Sequence, residues 1–95
     1  MSDSTKKNSI EKKFVIQNKQ GLHARPAALF VQTANKFKCE VELQKDREKV
    51  NGKSIMGIMT LAAGVGTPIT VRTTGDDAQA AMDEITRLIE GNFGE

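Results

Sequence analysis

The residues best placed to do chemistry lie together in Gly21-Leu22-His23-Ala24-Arg25-Pro26-Ala27-Ala28, a stretch that holds the only histidine of the 95-residue chain. A glycine stands shortly before that histidine, a proline shortly after it, and an amphipathic helix pattern begins beyond the proline. His23 is therefore expected where a loop enters a helix. At such a junction the free backbone N–H groups and the helix dipole favour an anion. Arg25 adds a fixed positive charge and a planar fork of donors suited to phosphate oxygens. The same dipole disfavours the imidazolium, so the ring is expected in its neutral, nucleophilic form. A lone histidine is more often an ordinary core or surface residue. One beside a ready-made oxyanion site can carry a phosphoryl group covalently. Other histidine chemistry lacks partners: Cys39 is distant in sequence, no second histidine completes a metal set, and no Ser-His-Asp or Cys-His constellation is evident.

The bulk properties bound the alternatives. A hydrophobic fraction of 38% is enough for one two-layer core, which must be aliphatic plus four Phe because Trp and Tyr are absent. The net charge of +2, from 14 basic and 12 acidic residues, gives no charge argument for nucleic-acid binding. A small RNA-binding domain would also want surface aromatics and a basic stripe, and neither is present. The single Cys39 cannot form an internal disulfide, which fits a reducing cytosol. No apolar run approaches the ~20 residues of a membrane span, and the polar N-terminal stretch has no signal-peptide core. The expectation is a cytoplasmic protein without membrane insertion, nucleic acid, metal or cofactor.

The elements that must position His23 follow from hydrophobic period. Residues 1–12 are polar and read as a flexible leader, with the domain over 13–95. A strand is predicted from about Lys13 to Gln17, with Phe14 and Ile16 inward, followed by a polar loop ending at Gly21. A helix from Arg25 or Pro26 to Lys36 turns Ala27, Phe30, Val31 and Ala34 to the core, while Leu29 falls on the solvent side near His23. Strands follow at Cys39–Leu43 and Glu48–Val50, with Asn51-Gly52 as a turn. Ser54 is placed to N-cap a short helix, Ile55 to Leu61, which is apolar nearly all round and cannot bury every face. The last strand is Ile69–Thr73. The last helix is expected to start at Asp76, with Gln79 completing a capping box, and to end at Gly91, leaving Asn92–Glu95 as a tail. The order β-α-β-β-α-β-α predicts an α+β fold, a two-layer open-faced sandwich of four strands with the helices on one face.

Gly21-Leu22-His23-Ala24-Arg25-Pro26-Ala27 resembles the phosphohistidine motif of HPr, the histidine-containing phosphocarrier family of the bacterial phosphoenolpyruvate-dependent phosphotransferase system. Lys53-Ser54-Ile55-Met56-Gly57-Ile58-Met59 is similar to the family's second signature, around its regulatory serine. Both motifs lie at the family's spacing, within a likeness that spans about residues 13 to 95. The resemblance implies an antiparallel sheet of strand order 1-4-2-3 covered on one face by three helices. It implies that His23 takes phosphate on Nδ1 from phospho-Enzyme I and passes it to the A component of a sugar permease. Arg25 would neutralise the phosphate, with backbone N–H groups of Ala24 and Arg25 as further donors. Leu22, Leu29, Ile55, Met56 and Met59 would form the docking patch, where methionine suits a surface that must fit several partners. Ser54 would be phosphorylated by an HPr kinase/phosphorylase, placing about two negative charges in that patch and weakening docking. The sequence departs from the family in its longer leader and in Gln20, where Asn or Ser is often found. Transient partners suggest a monomer.

Two other readings belong beside this one. A regulatory phosphocarrier, of a nitrogen-related or incomplete system, would serve kinases or transcription regulators rather than permeases. A pure interaction module would use Ser54 as its only switch, a reading against which the presence of His23 counts.

Overall fold

A computed structural model describes residues 8–95 of the chain. The elements are β1 (Ser9–Val15), α1 (Ala24–Ala34), β2 (Glu40–Lys45), β3 (Glu48–Asn51), α2 (Ile55–Thr60), β4 (Pro68–Thr74) and α3 (Ala78–Glu90), closed by a 3-10 turn at Asn92–Gly94. The strands form one antiparallel sheet in the order β1-β4-β2-β3. Alternation decides which face is covered. In β4, Ile69, Val71 and Thr73 are buried, and their partners Phe14 on β1 and Val41 and Leu43 on β2 point the same way. The helices meet that face with Ala27, Phe30, Val31 and Ala34 of α1, Ile58 of α2, and Ala78, Ala81, Met82, Ile85 and Ile89 of α3. The other face is polar, and a Glu11–Arg72 pair at 2.7 Å crosses it from β1 to β4. The architecture is the expected open-faced sandwich of four strands and three helices. No helix among the described residues is long and apolar enough to cross a membrane.

Three boundaries differ from the sequence reading. Strand β1 begins at Ser9 rather than near Lys13, so residues 9–12 belong to the sheet, and only 1–7 of the expected leader lie outside the described residues. The run Glu11-Lys12-Lys13 hides the strand, yet β1 pairs with β4 from Ser9↔Thr74 to Val15↔Pro68. Lys12 points inward at this sheet edge, where its Nζ meets Thr86 Oγ1 at 3.3 Å and lies 5.4 Å from the Phe14 ring centroid. A lysine there discourages another strand from adding to the edge.

Second, α3 is not opened by Asp76 and a capping box. Asp77 is the N-cap residue without a side-chain cap bond, and Gln79 donates instead to Asp83 at 2.9 Å. The Asp77 carboxylate has been recruited elsewhere, accepting from the backbone N–H of Lys38 at 2.8 Å and of Cys39 at 2.9 Å. The Lys38 amide first, with that of Cys39, holds the Asp77 carboxyl below its usual range. A group whose native value lies below its unfolded one stabilises the fold fully above the unfolded value of about 3.9, and that stabilisation fades as pH falls through the native value. Asp77→Asn is therefore expected to lower the urea midpoint at neutral pH. The gap from wild type should close in acid, which a series of midpoints from about pH 7 to about pH 3 checks.

Third, Asn92–Glu95 is not a loose tail. Phe93 is 2% exposed and turns the chain back onto the core.

Candidate functional site

His23 is the N-cap residue of α1, with extended backbone (φ −81°, ψ −169°) and no side-chain capping bond. Its carbonyl accepts the first helical hydrogen bond, from Ala27 N–H at 3.0 Å. Pro26, in the first turn, has no N–H to satisfy. The unpaired amides that open the helix are thus those of Ala24 and Arg25, neither of which meets a backbone acceptor among the described residues. The first turn carries no acidic residue, and Arg25 is exposed with no ion-pair partner among the described residues. Two free amides, a helix N-terminus and a guanidinium converge on the side of the chain where the imidazole begins. This is an arrangement for an anion.

The loop before His23 is held rigidly. Gly21 has φ +68° and lies against the backbone of Ala63 and Gly64. Its N–H donates to Asn18 O at 3.0 Å, and the next amide, Leu22 N–H, donates to Ala63 O at 2.9 Å. Asn18 is 4% exposed, and its Nδ2 closes the turn from inside by donating to Gly21 O at 2.6 Å.

A carboxylate completes the site. His23 Nε2 lies 3.2 Å from Glu95 Oε2, with the two side chains 34% and 24% exposed. The other carboxylate oxygen, Oε1, accepts from Asn18 Nδ2 at 3.4 Å. Sequence reasoning missed Glu95, Asn18 and Phe93. Two of the three had usable signals. An asparagine three residues before a glycine can bond its own turn, and an apolar residue just beyond a helix-ending glycine commonly packs on the last turn. Nothing local marks Glu95.

Ser54 is found where expected. Its Oγ accepts from Gly57 N–H at 3.0 Å, capping α2, a contact worth about 1 kcal/mol. Lysines steady both ends of α2: Lys53 Nζ donates to Phe37 O at 2.7 Å, and Lys45 Nζ to Leu61 O at 2.9 Å. The short helix packs on α1 and β3, burying Ile58 and leaving Ile55, Met56 and Met59 outward at 40%, 74% and 40% exposure.

Met59 also borders a shallow recess of about 260 Å³ with Gln20, Leu22, His23, Ala62, Ala63 and Gly64, so the apolar face of α2 runs up to the imidazole. Two of the expected patch residues are corrected. Leu22 is 5% exposed and belongs to the core, because Leu22 N–H binding to Ala63 turns its side chain inward. Leu29 is half-buried against the same core rather than free on the solvent side. Larger recesses lie along Lys38, Cys39 and Glu40, but the only nucleophile there, Cys39, is 3% exposed, and burial pushes its thiol up.

Residues 10–91 match the PTS-HPr family, described as "PTS HPr component phosphorylation site". The chain belongs to the HPr family. It is 54% identical over 89 residues to the phosphocarrier protein HPr of Neisseria meningitidis, covering 94% of this chain and 96% of that one. It is 53% identical over 81 residues to the HPr-like protein Crh of Halalkalibacterium halodurans, covering 85% and 96%. The solved HPr structure from Thermoanaerobacter tengcongensis superposes with a TM-score of 0.87 at 51% identity, covering 90% of this chain and 97% of that one. Membership carries the general role of a phosphocarrier of the phosphotransferase system.

Proposed function

We propose that this HPr works in the cytoplasm as a monomeric relay in which His23 takes a phosphoryl group on Nδ1 from phospho-Enzyme I and passes it to the A component of a sugar permease. The observation that carries this reading is the position of His23 at the N-cap of α1, beside the unpaired amides of Ala24 and Arg25 and an unpaired guanidinium. A bond from Nδ1 to phosphorus forms as the donor's bond to phosphorus breaks. The charge on the three phosphoryl oxygens then falls where these donors point. The protein holds and presents the group, and the partners supply the rest of the reaction.

Ile55, Met56 and Met59 form the docking face in this reading. They are the exposed apolar side chains of α2, and Met59 adjoins His23. Unbranched methionine adapts to more than one partner surface. Ser54 is the regulatory position, phosphorylated by an HPr kinase/phosphorylase. Its hydroxyl is beside Ile55 and Met56 at the head of the same helix. A phosphate there adds about −1.5 to −2 of charge to an apolar contact and weakens it by desolvation and repulsion. The likeness to Crh favours keeping this serine switch in the account beside the histidine relay.

The test is transfer from phosphoenolpyruvate through purified Enzyme I. Wild type is expected to take up an acid-labile label. His23→Ala, folded by circular dichroism, is expected to take up none. An unlabelled wild type with an active Enzyme I contradicts the proposal.

A further inference from the structure

The Glu95 carboxylate does something specific to the imidazole it touches. At 3.2 Å between Nε2 and Oε2, two unprotonated atoms would set lone pair against lone pair, so the contact is attractive only when Nε2 carries a proton. In the neutral ring one nitrogen holds the proton and the other the lone pair. A proton kept on Nε2 leaves the lone pair on Nδ1, which makes no capping bond to the helix it heads.

The carboxylate is itself held. Oε1 accepts from the Asn18 amide, which is 4% exposed and anchored at 2.6 Å to Gly21 O. From the other side, Phe93, 2% exposed, pins the turn that delivers Glu95. Around the ring the recess is lined by uncharged residues, Gln20, Leu22, Met59, Ala62, Ala63 and Gly64. The charged groups that bear on it are Glu95 and, on its own helix, Arg25.

We propose that Glu95, steadied by Asn18, is a positioning residue that holds His23 in the Nε2–H tautomer and so presents Nδ1 as the nucleophile. The part played in transfer rests on the carrier reading, whereas the tautomer belongs to the unphosphorylated protein. When the Nδ1 lone pair forms its bond to phosphorus, the donor leaves with the electron pair of the bond that breaks. Nε2 keeps its proton, and the ring takes one positive charge. Glu95 faces that charge as it forms and as it disappears in onward transfer, the part a buried carboxylate plays behind the histidine of a catalytic triad.

The experiment is long-range 1H–15N correlation of the His23 ring in wild type and Glu95→Ala, at a pH where the ring is neutral. Circular dichroism and thermal midpoints serve as fold controls. The ratio of Nε2–H to Nδ1–H tautomer is expected to be about fivefold higher in wild type, the size of one net hydrogen bond at a partly exposed site. Equal ratios in two folded proteins overturn the proposal. Glu95→Gln, which keeps the shape and removes the charge, is expected to lower kcat for uptake from phospho-Enzyme I about fivefold with KM unchanged. An unchanged kcat overturns the part assigned to the charge. A tautomer shift in a wild type that accepts no phosphate supports the positioning contact and overturns the carrier reading instead.

Discussion

Gly21→Ala is expected to destabilise the fold by about 3 kcal/mol or more and to take phosphoryl acceptance down with it. A Cβ at this position would lie 2.4 Å from Ala63 O and 2.7 Å from Gly64 Cα. Both are backbone atoms, so no side-chain rotation relieves the clash. The residue also sits at φ +68°, where a side chain is strained even in open space. Moving the Ala63 carbonyl away breaks its bond from Leu22 N–H, the last tie before His23. The imidazole then loses its fixed approach to Glu95 and to the amides of α1. Gly64→Ala is the control. An added Cβ at Gly64 meets nothing within 4 Å, so its urea midpoint should stay within about 0.5 kcal/mol of wild type. Chemical denaturation of both variants, with labelling by Enzyme I, checks the pair.

Phe93→Ala is expected to cost about 3 kcal/mol, the low end of the ~3–5 kcal/mol range for removing a buried phenylalanine. The low end applies because a short segment at the edge of the domain can peel away and let the gap close. Asn92 and Phe93 both hold left-handed backbone, with φ +55° and +57°, and only the buried ring keeps them there. Without it the turn opens and Glu95 leaves the imidazole. The variant should therefore reproduce the tautomer change of Glu95→Ala while also lowering the thermal midpoint. A Phe93→Ala protein that lost stability but kept the wild-type tautomer ratio would uncouple the anchor from the site.

These two residues show what could and could not be read in advance. The element order, the inward set Phe14, Ile16, Ala27, Phe30, Val41, Leu43, Ile69 and Val71, and the Ser54 cap were legible. Each repeats at the spacing of its own strand or helix, or sits at a helix start. His23 and Arg25 were legible because a histidine after a glycine loop and before a helix is a local pattern. The first half of β1 was hidden by its charges, since what makes it a strand is pairing with β4, far along the chain. Asp77 broke the capping rule because the Lys38 and Cys39 amides compete for its carboxylate. Leu22 looked available for docking because nothing local reveals the Ala63 carbonyl that turns it inward. Glu95 reaches His23 only after α3 has packed and Phe93 has turned the chain, so no window of sequence contains that contact.

The central claim is that the phosphoryl group rests on Nδ1 of His23. The most direct measurement is 31P and 15N NMR of the protein labelled from phosphoenolpyruvate through Enzyme I, with phosphorus–nitrogen coupling to assign the bonded atom. The account predicts a single acid-labile phosphate coupled to Nδ1 of His23, with Nε2 still carrying its proton. A phosphate on Nε2, or an acid-stable phosphate on Ser54 with His23 unlabelled, would contradict it.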